Sequence, residues 1–168
     1  NNLTMPGVLT EASFFDNIPE RRRLSNLDYL RTEAEVLYHS YLQFYNAPLP
    51  AHGSLVGIVT NLNTNTPATN VKVVIESLGL EYQVDNKNNG FYRFDTLAPG
   101  SYQVKVVTPI DTSVATATVQ GGKINKRDLT ITFTETVGNV KLNAVLSTPN
   151  GVNILWGKPT GTVDFYDI

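Results

Sequence analysis

The sequence predicts a mainly β protein: a seven-stranded antiparallel β-sandwich, preceded by a strand and a long amphipathic helix and followed by an incomplete further β unit. Three observations predict it. From Gly53 to Thr134, short runs in which apolar and polar residues alternate are separated at even spacing by turns rich in Asn, Gly and Pro. From Ser25 to Asn46, the apolar residues recur every three or four positions instead. Between the two lies Ala47-Pro48-Leu49-Pro50-Ala51-His52, which two prolines make a stiff, extended linker.

Composition excludes several classes. The chain has 168 residues, room for one large domain or two small ones, and is 41% hydrophobic, enough for an ordinary core. The net charge of −2 leaves no basic excess to neutralise phosphates, so no nucleic-acid partner is expected. There is no cysteine, hence no disulfide and no thiolate metal site. No apolar run is long enough to span a membrane. The first residue is Asn1, and Ile168 falls inside a strand pattern, so the chain is expected to be part of a longer polypeptide.

Taken in order, Pro6 and Gly7 lead into Val8-Leu9, a strand, with Glu11 at its end. In α/β enzymes strand ends commonly carry reactive side chains, but one carboxylate beside an apolar run reads by itself as structural. Asp16 to Arg23 reads as a polar loop, and Arg21-Arg22-Arg23 as a solvated turn or an anion-facing surface. Ser25 with Asp28 resembles a capping box. Leu27, Leu30, Ala34, Leu37, Tyr41 and Phe44 then form one apolar stripe on a helix of about five turns, ended by Pro48 and Pro50. Such a stripe needs a partner surface. His39, flanked by Glu35 and Gln43 at four residues either way, reads as a surface or boundary residue, and His52 as solvated.

The strand pattern follows: Leu55–Val59, Val71–Glu76, Glu81–Val84, Phe91–Phe94, Tyr102–Val106, Val114–Val119 and Leu129–Phe133. Asp85 to Gly90 opens like a calcium loop, but Thr96 stands where a bidentate Glu is required, so a plain Asn-rich turn is expected. Leu97-Ala98-Pro99-Gly100 fits a type II turn, and Gly121-Gly122 a hairpin turn. Beyond it, Val140–Leu146, Gly151–Trp156 and Phe165–Ile168 read as further strands, with Trp156 in a core position.

Three resemblances add to this reading. Pro6, Val8, Leu9, Glu11, Phe14 and Asn17 stand in register with the closing pattern of zinc-dependent N-acetylmuramoyl-L-alanine amidases, a cell-wall hydrolase family; the likeness covers Met5 to about Tyr45. It implies that residues 1–46 are the last strand and helix of an α/β catalytic domain. It also implies that Glu11 is a catalytic glutamate acting on the zinc-bound water or the leaving amine. In that family the zinc ligands lie upstream; zinc belongs to the parent enzyme, and this chain alone is expected to be inactive and to bind no cofactor. Gly57-Ile58-Val59, Ala68-x-x-Val71-x-Val73 and Asn89-Gly90-Phe91-Tyr92-x-Phe94-x-x-Leu97-x-Pro99-Gly100-x-Tyr102 resemble the carboxypeptidase regulatory-like, transthyretin-like β-sandwich, over residues 53–135. Residues 136–168, with Trp156 before Pro159, resemble the start of a fibronectin type III domain. The resemblances imply a modular bacterial protein that is secreted, periplasmic or on the cell surface, with peptidoglycan or another cell-surface glycan as partner. The alternative is a non-enzymatic β-sandwich module for polysaccharide binding, adhesion or domain spacing.

Overall fold

A computed structural model of the chain describes residues 7, 9–134, 142–148 and 151–156. The chain divides into two compact units, residues 1–133 and 134–168. The first is mainly β and holds two helices and two sheets.

The two helices come first. α1 spans Ile18–Leu24 and α2 spans Leu27–Phe44. α1 replaces the expected polar loop. Its start is capped by Asn17, whose side chain accepts a hydrogen bond from the Glu20 backbone N–H, and Pro19 sits in its first turn. Arg21, Arg22 and Arg23 fall in its last turn, where cations complement the helix dipole. α2 starts one residue later than the Ser25 reading places it. Asn26 is the cap, and its side-chain oxygen accepts from the N–H groups of Asp28 and Tyr29. The expected strand before Glu11 is a correction. Leu9 to Phe14 form no strand, and Leu9 is 85% exposed; an extended segment with no neighbouring strand has no ladder to join. Val8 lies outside the described residues.

One sheet is centred on β1 (Gly53–Asn61), which pairs antiparallel with β2 (Thr66–Pro67) and β5 (Phe91–Leu97). The other runs in the order β4-β3-β6-β7, from β3 (Lys72–Ile75), β4 (Leu80–Gln83), β6 (Gly100–Val107) and β7 (Thr112–Val119), all antiparallel. The chain then leaves the second sheet for the first. β8 (Ile124–Lys126) and β9 (Leu129–Ile131) pair in parallel with β1. The sandwich is therefore mixed rather than purely antiparallel, and Gly121-Gly122 is a crossing between sheets rather than a hairpin. The glycines are needed because a Cβ on Gly121 would meet the Ala51 carbonyl oxygen at 2.4 Å, and Gly122 holds φ +65° while its N–H bonds the His52 carbonyl.

Two further turns differ from expectation or refine it. Gly100 does not take the positive φ that a type II turn demands; it begins β6, and Thr96 takes φ 58° instead. The Asp85–Gly90 turn closes as a plain turn: Asp85 accepts from the Lys87 backbone N–H and from the Asn89 side chain, and Gly90 holds φ 64°.

The core lies between the sheets. Leu55 and Val59 of β1, Tyr92 and Phe94 of β5, Val73 and Ile75 of β3, and Val104 and Val106 of β6 are all buried there. On β5 the alternate residues Phe91, Arg93 and Asp95 point to the other face of the first sheet, and α2 lies on that face. In the second unit, β10 (Leu142–Thr148) and β11 (Gly151–Trp156) pair antiparallel as a hairpin. The expected strand at Phe165–Ile168 and the side chain of Trp156 lie outside the described residues.

Candidate functional site

Glu11 lines a cleft of about 450 Å³ together with Ala12, Ser13, Phe14, Glu20, Arg23 and Tyr29. The turn that forms it is short-range. The Phe14 N–H donates to Glu20 Oε2 at 2.7 Å, which ties the N-terminal segment to the start of α1. The Asn17 N–H bonds the Phe14 carbonyl at 3.1 Å. Tyr29 of α2 stands edge-on to Phe91 of β5, 5.4 Å between ring centroids, so one wall of the cleft is anchored to the sandwich. The Arg23 guanidinium lies 5.9 Å from the Tyr29 ring centroid. The Phe14 ring is 69% exposed. The cleft thus joins one free aromatic face and one anchored aromatic ring to a guanidinium, two carboxylates and the Ser13 hydroxyl. That mixture suits a polar ligand with apolar C–H faces.

A second ionic cluster lies under α2. Arg93 is 7% exposed, and its Nη2 meets Glu35 Oε2 and Asp95 Oδ1, each at 2.5 Å. Its Nη1 donates to Thr32 Oγ1 at 2.6 Å. Ser54 Oγ donates to Glu35 at 2.9 Å, and Arg31 reaches Asp95 at 3.5 Å. Burial opposes the charge on Arg93, but the hydrogen bonds and charges of Asp95 and Glu35 outweigh it and hold the guanidinium protonated. A cleft of about 350 Å³ opens beside it, lined by Arg31, Pro50, His52 and Thr96 among others. Its dominant contacts are internal to the fold.

The histidines do not converge. His39 is buried rather than at the surface, with Nε2 3.8 Å from Glu35 Oε1, because it sits on the face of α2 that meets the sandwich. His52 is exposed in the linker. Among the described residues no group of His, Cys, Asp or Glu is arranged to hold a metal ion. The amidase resemblance places its zinc ligands upstream of this chain, and no step is derived through that metal.

Sequence reasoning missed Glu20, Arg23 and Tyr29 as neighbours of Glu11. The signal for the first was present: Asn17 followed three residues later by Glu20 is a capping pair that starts a helix. Asp95 lies two residues from Arg93 on the same strand, but nothing local announces Thr32 and Glu35, which come from α2.

The fold and cleft define a β-sandwich module carrying helices on one face. No family model matches the chain, and no curated protein matches it. Several solved structures are similar in part. A candidate carbohydrate binding protein from Bacteroides uniformis is 16% identical, with a TM-score of 0.37 over 64% of this chain and 52% of that one. A candidate carbohydrate binding protein from Pseudomonas aeruginosa is 16% identical, with a TM-score of 0.33 over 52% of this chain and 94% of that one. A DUF3823 family protein from Bacteroides uniformis is 13% identical, with a TM-score of 0.32 over 65% of this chain and 55% of that one. The chain spans about half the length of the two Bacteroides structures.

Proposed function

We propose that this chain is a non-catalytic accessory module that binds a cell-surface glycan, peptidoglycan or another polysaccharide. The observation that carries this reading is the cleft in which Phe14 and Tyr29 stand beside Glu11, Ser13, Glu20 and Arg23. A pyranose offers flat C–H faces to aromatic rings and hydroxyls to charged groups, and the cleft supplies both. Within this reading the sandwich is of the carboxypeptidase regulatory-like, transthyretin-like kind. The unit from 134 onward begins a fibronectin type III-like domain, and the parent protein is secreted, periplasmic or held at the bacterial surface.

Calorimetric titration of the chain with soluble peptidoglycan fragments and with neutral polysaccharides tests the proposal. Binding to at least one is expected, with Phe14→Ala and Arg23→Ala each weakening it about tenfold. Absence of binding across both glycan classes, or binding untouched by both variants, contradicts the assignment.

A second reading keeps Glu11 as a catalytic carboxylate of a zinc-dependent amidase whose remaining domain precedes this chain. What favours it is the place of Glu11 in the wall of an open cleft, beside a second carboxylate. In that role Glu11 holds and delivers the proton that the departing amine needs. Glu11→Gln in the parent protein is then expected to lower turnover of purified cell wall by about two to four orders of magnitude. Near-full activity of that variant removes Glu11 from the chemistry.

A further inference from the structure

The free edges of the sandwich are not alike. An edge strand is an open row of backbone donors and acceptors unless something blocks it. Along the first sheet, β2 has two residues and ends in Pro67, which has no N–H to offer. β5 carries Arg93 and Asp95, holds Thr96 at φ 58°, and meets α2 through Arg93. β8 and β9 are three residues each, with the Arg127-Asp128 bulge between them and Lys126 beside it. In the second sheet, β4 has four residues, carries Glu81, and is tied to α2 through the Tyr82 hydroxyl. β7 has none of these devices. It runs eight residues, pairs with β6 at every one of them without a register shift, and carries no charge and no proline. Among the described residues no other strand pairs with it. Its connection to β6 fixes which groups look outward. The Thr108 N–H donates to the Asp111 carbonyl at 2.9 Å, which makes 108 and 111 a hydrogen-bonded pair. Such pairs recur at every second residue of an antiparallel ladder, so Ser113, Ala115, Ala117 and Val119 bond β6. Thr112, Val114, Thr116 and Thr118 turn their N–H and C=O groups away from it. Asp111 Oδ1 holds the Thr112 N–H at 2.8 Å. The N–H groups of Val114, Thr116 and Thr118 meet no partner among the described residues, and the Val114 side chain is 52% exposed.

We infer that β7 adds, antiparallel, to β7 of a second copy of the chain, joining the two four-stranded sheets into one. The register selects that occupant. The outward groups are disposed evenly about Ala115, so a two-fold axis at Ala115 sets Val114 opposite Thr116 of the second copy and Thr118 opposite Thr112. Every free N–H of both edges then faces a carbonyl. The side chains agree with this register. On the outer face it pairs valine with threonine and threonine with threonine, which suit cross-strand neighbours. On the inner face Ser113, Ala115 and Ala117 are small, so the two strands close without collision. No like charges meet, because β7 has none and Lys105 beside it on β6 is held by Glu76 at 2.5 Å. Order selects the same occupant. A free segment gives up its backbone freedom to become a strand, whereas β7 of a second copy is already fixed as one by β6. Pairing uses the edge of both copies, so association stops at two. This inference goes beyond the glycan reading and does not depend on it.

Sedimentation velocity of the whole chain across the micromolar range tests it. A species of twice 18.5 kDa is expected, in equilibrium with the single chain. Amide hydrogen exchange over the same range reads the edge residue by residue. Val114, Thr116 and Thr118 should gain protection as concentration rises, while Ala115 and Ala117, bonded to β6 throughout, should not change. Replacing Val114 and Thr116 together by Lys sets lysine against lysine at two places in the paired edge and should weaken association about a hundredfold. Both side chains are exposed, so the thermal melt should stay unchanged and show that the variant folds. Leu37→Glu, on the apolar side of α2, should leave association intact. A chain that stays single throughout the range overturns the proposal. So does a pair that survives the two lysines, one that Leu37→Glu dissolves, or one that forms without added protection at Val114 and Thr116.

Discussion

Arg93 shows how a single residue takes its meaning from partners the local sequence does not announce. It sits on β5 between two core residues, Tyr92 and Phe94, so strand alternation turns it to the outer face. There α2 covers it, and burial becomes tolerable because Glu35 and Asp95 supply two carboxylates and Thr32 a hydroxyl. The pairing is incomplete: Nε is buried without a hydrogen-bond partner among the described residues. Removing the guanidinium takes away the buried counter-charge that Glu35 and Asp95 share and leaves Asp95 only the exposed Arg31 at 3.5 Å. Arg93→Leu is therefore expected to lower stability by about 3 kcal/mol, read as a fall in the urea midpoint. A variant as stable as the parent would mean that the cluster only positions the helix.

At the scale of elements, the parallel seam along β1 depends on a close approach. Between β8 and β9 the chain bulges at Arg127-Asp128, where the Arg127 N–H bonds the Val56 carbonyl and the Asp128 carboxylate accepts from the Ile58 N–H. The bulge fits because position 57 is glycine: a Cβ there would meet the Arg127 carbonyl oxygen at 2.0 Å. Gly57→Ala is expected to destabilise the sandwich by more than 1 kcal/mol, roughly the scale of an overpacked core, with loss of amide protection at Ile58 as the local signature. The sandwich also closes its own core. Every residue of the buried cluster lies between Leu55 and Phe133, and neither helix contributes one. Residues 53–134 expressed alone should therefore melt cooperatively, at a lower temperature than the full chain because Phe91 and Arg93 lose their cover. A broad, non-cooperative melt would place the helices within the folding unit.

The whole first unit responds to alkali through its buried phenols. Burial pushes the Tyr82 hydroxyl up to about 12 from 10.0, reinforced by its hydrogen bond to Asp28 and opposed by Asn26. Burial raises Tyr92 in the same direction. The folded state holds these protons more tightly than the unfolded chain. The contribution of Tyr82 is fully present below pH 10 and is lost as pH rises through 12. Tyr82→Phe cannot lose that proton, so the fall in unfolding free energy across this window should become shallower. An unchanged slope would show that Tyr82 does not titrate with folding.

What the sequence determined by itself was the part governed by short-range periodicity. The short apolar runs of β1, β3 and β5 and the alternation along β6, β7 and β9 are properties of neighbouring residues, and so is the three-four spacing that made α2. The Asn-rich turn at Asp85 was legible because its hydrogen bonds span only a few residues. Glu11 was expected at the end of a strand and lies instead in an irregular segment that lines a cleft. The tertiary structure alone decided which face of α2 meets the sandwich. The stripe that hydrophobicity would send inward stays outward, because the opposite side is matched to the outer face of β5 by Arg93 and to Tyr82 by Asp28. It also decided that β8 and β9 join β1 in parallel. Pairing partners far apart in the chain are chosen by the shape of the closed core and by space at one glycine, and neither quantity is written in the periodicity of any single segment.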